Sequence, residues 1–199
     1  MSNPTIGIVI GTVRENRFAD RAVAWLGQQT QARADLDFEI LDLKDYPLPF
    51  FNERRNPASG AEAENEVAQR WRQKLAALDG FIFMAAEYNH SPTAVLINAL
   101  DWAYYEWNRK PVAFFGYGTM GASRAIEHLR LQIAELQMVS VRQTVLVGGA
   151  DMRAIWDKAA TLDDMPHLIP AAQAMLEDLS RWAWGLRILR QNWGQERRG

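Results

Sequence analysis

The segment from residue 11 to residue 17 has the residue types of an anion-binding site. It holds Gly11, Thr12, Arg14 and Arg17, directly after an apolar run. The glycine lets the backbone turn, the hydroxyl and guanidinium groups donate hydrogen bonds, and the first N–H groups of a following helix add further donors. The segment contains neither GxGxxG nor GxxxxGKS/T, so a single phosphate fits better than a pyrophosphate. Taken alone, it is explained equally well as a solvated turn with surface arginines.

A second polar segment, residues 86–92, follows the most apolar run of the chain. Tyr88, Asn89 and His90 are consecutive in it. An aromatic ring beside amide and imidazole groups suits a flat heteroaromatic ligand, whose edge needs hydrogen bonds and whose face needs apolar cover. The alternative is a turn in which Ser91 or Thr93 caps the next helix, and the two interpretations are compatible.

The third segment, residues 116–123, is rich in glycine. Gly116, Gly118 and Gly121 lie within six residues, which permits the backbone to pass close to the edge of a ring with N–H groups pointing inward. A flexible surface loop has the same composition. This segment therefore indicates a ligand only in combination with the other two.

Short apolar runs alternate with segments of helical periodicity, and these elements must position the three polar segments. The predicted strands are 5–10, 38–43, 81–85, 112–115 and 139–147. The predicted helices cover 16 to about 34, 67–78, 94–107, 126–136 and a last stretch that begins near 170. This alternation predicts a doubly wound α/β domain with a parallel sheet covered on both faces. The polar segments then meet beyond the carboxyl ends of the strands, where such sheets bind ligands.

Composition excludes several other classes of protein. The chain has 199 residues and no internal repeat or linker, so we predict one domain over residues 1–199. Its 22 basic and 24 acidic residues give a charge of −2, which indicates neither nucleic-acid nor anionic-membrane binding. The chain has no cysteine, and its three histidines lack metal-ligand spacing such as HExxH, so no metal site is predicted. No signal peptide or membrane-length apolar run is visible, which favours the cytoplasm.

The eight tryptophans are interpreted mainly as packing residues of the core and of a subunit interface. Several large apolar residues form one edge of the last predicted helix. This stripe is expected to pack either on the protein's own sheet or on another subunit. Its members are Met175, Leu179, Trp182, Leu186, Leu189 and Trp193.

The three polar segments together resemble a known family. The sequence EYNHS at 87–91, continued by LINALDW at 96–102, is similar to the PEYNxS…LKNAxDW signature of the NADPH-dependent FMN reductases. The first segment, GTVR at 11–14, resembles that family's GSxR loop, and GTMGASRA at 118–125 resembles its glycine-rich third loop. The resemblance runs from about Thr5 to Val147. It implies a flavodoxin-like three-layer α/β sandwich with a five-stranded parallel sheet.

The resemblance also assigns residues to FMN. It places Thr12, Arg14 and Arg17 on the flavin phosphate, with Phe18 beside them. The isoalloxazine ring is expected against residues 87–90, largely through their backbone groups, and its pyrimidine edge against the third loop. These residues are Glu87, Tyr88, Asn89, His90, Tyr117, Gly118 and Gly121. The chain departs from the family pattern at four positions, with Thr12 and Arg17 where serine is usual, Ala86 in place of proline and Ile97 in place of lysine.

The activity implied is NAD(P)H-dependent reduction of quinones, azo dyes, chromate or free flavin, with FMN as the carrier of electrons and NADPH or NADH as the hydride donor. No side chain is expected to be catalytic, since flavin N5 carries the chemistry. The resemblance further implies a homodimer or homotetramer. Two alternatives stay open: a flavodoxin-type electron carrier, which a charge of −2 disfavours, and a binding module that keeps only the fold.

Overall fold

Five parallel strands form the centre of the computed structural model, which describes the backbone of residues 2–196 and the side chains of residues 2–192. In sheet order they are β2 (Asp37–Asp42), β1 (Thr5–Ile10), β3 (Gly80–Tyr88), β5 (Pro111–Tyr117) and β6 (Val139–Val147). A two-residue strand, β4 (Ser91–Pro92), pairs antiparallel with the end of β3. The chain reverses its direction of travel across the sheet between β1 and β3, which is where a ligand crevice opens in such sheets.

Helices cover both faces of this sheet. They are α1 (Ala19–Gln31), α2 (Glu66–Ala76), α3 (Ala94–Asp101), α4 (Ser123–Glu135), α5 (Gly149–Asp157) and α6 (Leu168–Glu196). Single turns of 3₁₀ helix occur at Pro57–Ser59 and Leu162–Asp164. Within the described residues, none of the helices combines the length and the apolar content that crossing a lipid bilayer requires.

The alternation of side chains along β3 shows why both faces are buried. Ile82 and Met84 pack in a core cluster with α1, α5 and α6. Phe81 and Phe83 point to the other face and pack with α2, α3 and α4. A strand that is apolar on both sides is buried only as a central strand of a three-layer sandwich. The predicted flavodoxin-like α/β fold with five parallel strands is therefore confirmed.

All five predicted helices are present, with boundaries that differ from the prediction by up to six residues. The helix predicted from Asn16 begins at Ala19, because Asn16 has a left-handed φ of 49°. The helix predicted over 94–107 ends at Asp101, although Trp107 continues its apolar periodicity. The chain instead folds back, and the Trp107 indole donates a hydrogen bond of 3.3 Å to the carbonyl of Leu100. The final helix begins at Leu168, two residues before Pro170.

Helix α5 has no counterpart in the sequence prediction. It begins at Gly149, directly after Gly148, and buries only Met152 and Ile155. Glycine disfavours helix, and two buried residues over nine give little periodicity to detect. The described chain thus has six α-helices where five were predicted.

The apolar stripe of α6 is only partly covered by the protein's own sheet. Met175, Leu179 and Leu186 are buried in the core beside β5, β6 and α1. Trp182 and Leu189, predicted in the same stripe, are 47% and 42% exposed. The side chain of Trp193 lies outside the described residues. The described part of the stripe therefore packs on its own sheet through its inner edge.

Candidate functional site

The three polar segments meet at one cavity of about 370 Å³, beyond the carboxyl ends of β1, β3 and β5. We call it the loop cavity. Eight of the eleven residues predicted to bind FMN line it: Thr12, Arg14, Arg17, Phe18, Glu87, Tyr88, Tyr117 and Gly118. Its wall also includes residues that were not among those predicted to bind FMN: Asn16, Arg21, Ala86, Thr119, Met152 and Trp156.

Gly11 holds the first loop against the second. Its N–H donates a hydrogen bond of 3.2 Å to the carbonyl of Met84 on β3. Its own carbonyl accepts a hydrogen bond from the Thr93 hydroxyl, which also accepts one of 3.2 Å from the N–H of Leu96 and so caps α3. A Cβ atom at position 11 would lie 2.8 Å from the Met84 oxygen. Only glycine permits this approach, which fixes the distance between the two loops.

Thr12 and Tyr88 join the two loops inside the cavity. The Thr12 hydroxyl and the Tyr88 hydroxyl share a hydrogen bond of 3.0 Å. Thr12 is almost fully buried, whereas Arg14 is exposed, with its guanidinium carbon 6.0 Å from the centre of the Tyr88 ring. The first loop therefore offers the cavity a hydroxyl held by tyrosine and a cation at the rim.

Arg17 is bound by protein groups on several sides. Its side chain is only 5% exposed and forms ion pairs with Asp42 and Asp20. It also donates a hydrogen bond to the carbonyl of Thr12, within the first loop. The hydrogen bonds to Asp42 raise the pKa of Arg17, although burial acts in the opposite direction. Burial would raise the pKa of Asp42, but hydrogen bonds from Arg17 and from the Lys44 backbone lower it overall. Both groups of this pair are therefore charged at neutral pH.

The second loop is a hairpin of two residues. Asn89 and His90 have φ values of 50° and 72°, between the paired residues Tyr88 and Ser91. Positive φ at both central residues is the geometry of a type I′ turn, which suits the twist of a hairpin. Asn89 and His90 form the tip and do not line the loop cavity. The His90 ring lies 6.4 Å from that of His128 on α4.

Glu87 places a carboxylate in the wall of the loop cavity. Its side chain is 6% exposed, and one of its oxygens forms an ion pair with Arg124 at the start of α4. The other oxygen, Oε2, is buried and has no hydrogen-bond partner among the described residues. A buried carboxylate oxygen without a partner is costly, so this position favours a ligand that donates a hydrogen bond.

Among the described residues that line the loop cavity, Tyr117, at the end of β5, is the second with an unpartnered buried polar atom. Its hydroxyl is buried without a hydrogen-bond partner in the described chain, and its ring centre lies 5.2 Å from that of Phe18. Burial raises the pKa of this hydroxyl well above its usual range, so it is protonated and able to donate.

The third loop turns at glycines. Gly118 has a φ of 138° and lines the loop cavity, and Gly121 has a φ of 62° but lies behind it. The carbonyl of Gly121 is packed so closely against Gly116 that position 116 has no room for a side chain. Gly121 therefore shapes the loop without contributing to the cavity wall.

Three residues of the wall, Arg21, Met152 and Trp156, could not be found from motifs. Arg21 follows Arg17 by one helical turn, and this spacing is its only signal in the sequence. Trp156 lies on α5, beyond the segment in which the resemblance was found. Its side chain is 66% exposed.

Comparisons with known proteins agree with this architecture. The family model described as NADPH-dependent FMN reductase matches residues 4–151. An NAD(P)H-dependent FMN reductase of Schizosaccharomyces pombe is 34% identical over 136 residues, which are 68% of each chain. A quinone reductase of Pseudomonas putida is 27% identical over 189 residues, 89% of this chain and 94% of that protein.

A solved structure shows the same fold. The flavoenzyme NAD(P)H:(acceptor) oxidoreductase of Paracoccus denitrificans superposes with a TM-score of 0.70 at 21% identity, covering 89% of this chain and 98% of that one. The family model covers well over half of the sequence, and its match includes all three loops of the cavity. The chain belongs to the NADPH-dependent FMN reductase family.

Proposed function

We propose that this protein passes electrons from NADPH or NADH through FMN, bound in the loop cavity, to quinones or similar two-electron acceptors. Membership of the family makes it an oxidoreductase that uses FMN and NAD(P)H. The observation that carries the choice of site is the pair of unpartnered buried atoms, Glu87 Oε2 and Tyr117 Oη, in residues of one cavity wall.

The donor set of the loop cavity fits FMN. A carboxylate oxygen accepts hydrogen bonds from ribityl hydroxyl groups or from a ring N–H, and a protonated tyrosine donates one. Arg14 and the Thr12 hydroxyl would hold the phosphate at the first loop, while Phe18 and Tyr88 supply aromatic surface. The backbone of the glycine-rich loop at Gly118 supports the edge of the ring. When bound, FMN accepts a hydride from NAD(P)H and delivers the electrons to the acceptor.

The chain's own groups bind and orient. Arg17 donates a hydrogen bond to the Thr12 carbonyl and is neutralised by its ion pairs with Asp42 and Asp20. We therefore infer that Arg17 positions the first loop and that Arg14, at the rim, is free to bind the phosphate. Asn89 and His90, predicted beside the ring, would contribute from the hairpin tip through backbone groups only. Gly121 would act through the shape of the third loop.

A quinone is the proposed acceptor class because a quinone reductase of Pseudomonas putida aligns with nearly the whole chain. Azo compounds are a second candidate, since a solved azoreductase superposes on the fold with a TM-score of 0.58 at 16% identity.

The visible absorption spectrum of the purified protein tests the proposal. FMN is added, excess is removed by desalting, and NADPH and then a quinone follow. We expect retained flavin bands that NADPH bleaches and the quinone restores. Retained flavin that NADPH fails to bleach would identify a flavodoxin-type carrier instead. A protein that retains no flavin would contradict the assignment of the cavity.

We further infer that the chain forms one domain, assembles as a homodimer or homotetramer, and works in the cytoplasm. Two core clusters on opposite faces of a single sheet support the first inference. The exposed Trp182 and Leu189 on α6 support the second, because large apolar residues at a surface favour a partner. Sedimentation that shows only monomer at micromolar concentration would contradict it.

A further inference from the structure

A second cavity, of about 500 Å³, adjoins the loop cavity. It lies between α1 and the segment that runs from α5 to the 3₁₀ turn Leu162–Asp164, and we call it the aromatic cavity. Phe18, Arg21 and Trp156 line both cavities. The volume lies within the roughly 300–1,000 Å³ typical of small-molecule sites. FMN is assigned to the loop cavity, so this second cavity is available to another ligand.

The walls of the aromatic cavity are suited to a flat ring system. Phe18 directly precedes α1, and Trp25 lies on that helix with only 3% of its side chain exposed, because it packs against Phe115 in the core. The opposite wall contributes Trp156 and Leu162. Trp156 is 66% exposed although its indole is one of the largest apolar groups in the chain. The exposed Trp156 indole and the half-buried Phe18 ring favour a planar aromatic ligand, which stacks on them or meets their edges.

The charges of the aromatic cavity indicate an anion. Arg21 is exposed, and its side chain forms no hydrogen bond or ion pair with the described residues. Asp163 is the other charged residue of the lining, also exposed, and it is not paired with Arg21. A guanidinium without a carboxylate partner is a strong site for a carboxylate, sulfonate or ionised hydroxyl oxygen. The negative charge of Asp163, on the opposite wall, disfavours binding of such an anion.

The outer wall is also the part of the site that the family model leaves out. The match ends at residue 151, whereas Ile155, Trp156 and Leu162 come later in the chain. A segment beyond the family model that closes a cavity beside the proposed cofactor site is placed to select among substrates.

We propose that the aromatic cavity binds planar aromatic anions, with the anionic oxygen on Arg21 and the ring against Trp156 and Phe18. In the enzyme it selects acceptors of this class, such as hydroxylated or sulfonated quinones, for the flavin next to it. This second statement rests on the proposed function, whereas the binding of the anion does not.

Isothermal titration of naphthalene-2-sulfonate into the FMN-saturated protein tests the proposal, because this probe is not reduced and reports binding alone. We expect saturable binding that Arg21→Gln weakens at least tenfold. Ala24→Phe should weaken it similarly, since Ala24 is an exposed residue of α1 that lines only the aromatic cavity. Asp163→Asn should tighten it several-fold by removing the opposing charge. Naphthalene-2-methanol, which is neutral, should bind more weakly and be insensitive to Arg21→Gln.

The control variants for Arg21→Gln and Ala24→Phe are at positions on α2. Arg70→Gln and Ala76→Phe make the same changes at exposed positions away from both cavities and should leave probe binding unchanged. Absence of probe binding by the wild-type protein would overturn the proposal. So would binding that survives both Arg21→Gln and Ala24→Phe.

Acceptor kinetics separate this inference from the proposed function. We expect Ala24→Phe to raise KM for 1,4-naphthoquinone-2-sulfonate much more than KM for 1,4-naphthoquinone. An enzyme that reduces both quinones but does not bind the probe would overturn the inference and leave the function standing. A protein that binds the probe with the expected variant pattern but never oxidises NADPH would overturn the function and the acceptor role, while the anion site would stand.

Discussion

Arg14 and Arg17 are three residues apart and have opposite surroundings. Arg14 is exposed at the rim of the loop cavity, and Arg17 is enclosed by Asp42, Asp20 and the Thr12 carbonyl. The sequence shows two arginines at suitable spacing for a phosphate. It does not show that Asp42, twenty-five residues away at the end of β2, neutralises one of them. Such a pairing depends on the register of two strands, and short motifs do not contain it.

Variants of the two arginines should therefore fail in different ways. Arg14→Gln is expected to weaken FMN binding by roughly tenfold to a hundredfold, as for a lost charged hydrogen bond, and to change stability by less than about 0.5 kcal/mol. Arg17→Gln should cost about 2–3 kcal/mol of stability, because it leaves two carboxylates without their cation. Urea denaturation of the flavin-free proteins and FMN titration measure the two effects. Arg70→Gln, on the exposed face of α2, is the control.

Equal loss of stability in both arginine variants would contradict this division of roles. So would unchanged FMN affinity in Arg14→Gln.

Tyr117 offers a test of the unpartnered hydroxyl. Replacing it by phenylalanine removes a buried polar atom that has no hydrogen bond, so the flavin-free protein should keep its stability or gain about 1 kcal/mol. In the presence of FMN the same variant should lose affinity, because a donor to the cofactor is gone. Thermal denaturation without FMN measures the change in stability, and thermal denaturation with FMN measures the loss of affinity. A flavin-free Tyr117→Phe protein that is clearly less stable than wild type would indicate that the hydroxyl already has a partner.

Tyr105→Phe serves as the control for that experiment. The Tyr105 hydroxyl is at the surface and donates a hydrogen bond of 2.9 Å to the carbonyl of Ala58. We expect this variant to lose a little stability and to bind FMN normally.

At the scale of elements, hydrophobic patterns in the sequence predict helices and strands correctly where local burial determines the conformation. The run at 81–85 is apolar on both faces, and it is a central strand. The periodicity through Trp107 predicts a longer helix than α3, because Trp107 is buried by a turn that returns its indole to Leu100. Helix α5 is missed since it starts at two glycines and buries few residues. These errors share one cause: tertiary contacts decide the conformation where the local signal is weak or ambiguous.

Lys110 links two elements and makes stability depend on pH. Lys110 directly precedes β5. Its ammonium group donates a hydrogen bond of 2.7 Å to the carbonyl of Leu75, near the end of α2. Burial lowers the pKa of Lys110 to about 7, with Arg190 acting in the same direction and Asp79 and Glu106 opposing it. In the unfolded chain the pKa is that of an ordinary lysine, so between about pH 7 and pH 10 the unfolded state binds more protons.

Stability should therefore rise with pH in this range, by about 2 kcal/mol between pH 7 and pH 9. Urea denaturation at pH 7, 8 and 9 measures the slope, and Lys110→Met should remove it whatever its effect on absolute stability. The same slope in wild type and Lys110→Met would show that another group is responsible.

At the scale of the whole molecule, the proposed cofactor site joins parts of the chain that are far apart in sequence. The loop cavity takes its walls from the first loop, the end of β3, the end of β5 and helix α5. The sequence predicts the first three of these contributions from motifs, and the order of a parallel sheet brings them together. It does not predict Met152 and Trp156, which complete the wall from outside the motifs.

FMN should therefore stabilise the fold as a whole. A ligand that binds only the folded state adds about 2.7 kcal/mol when its free concentration is a hundred times Kd. The midpoint of urea denaturation is expected to rise steadily with the logarithm of FMN concentration. Riboflavin, which lacks the phosphate, should give a smaller shift at equal concentration. A midpoint that does not respond to FMN would contradict binding to the folded state.

The sheet order β2-β1-β3-β5-β6 also has a consequence for biosynthesis. The first loop leaves the ribosome early, but β3, which pairs with β1 on the side opposite β2, ends only at Tyr88. Tyr117 follows, and the last side chain of the cavity wall is that of Trp156. A nascent chain can thus pair β1 with β2 at once, yet it has no complete pocket until more than three quarters of it has been translated. Cofactor capture is a late event in the life of this polypeptide, and chains stalled before α5 would be released without it.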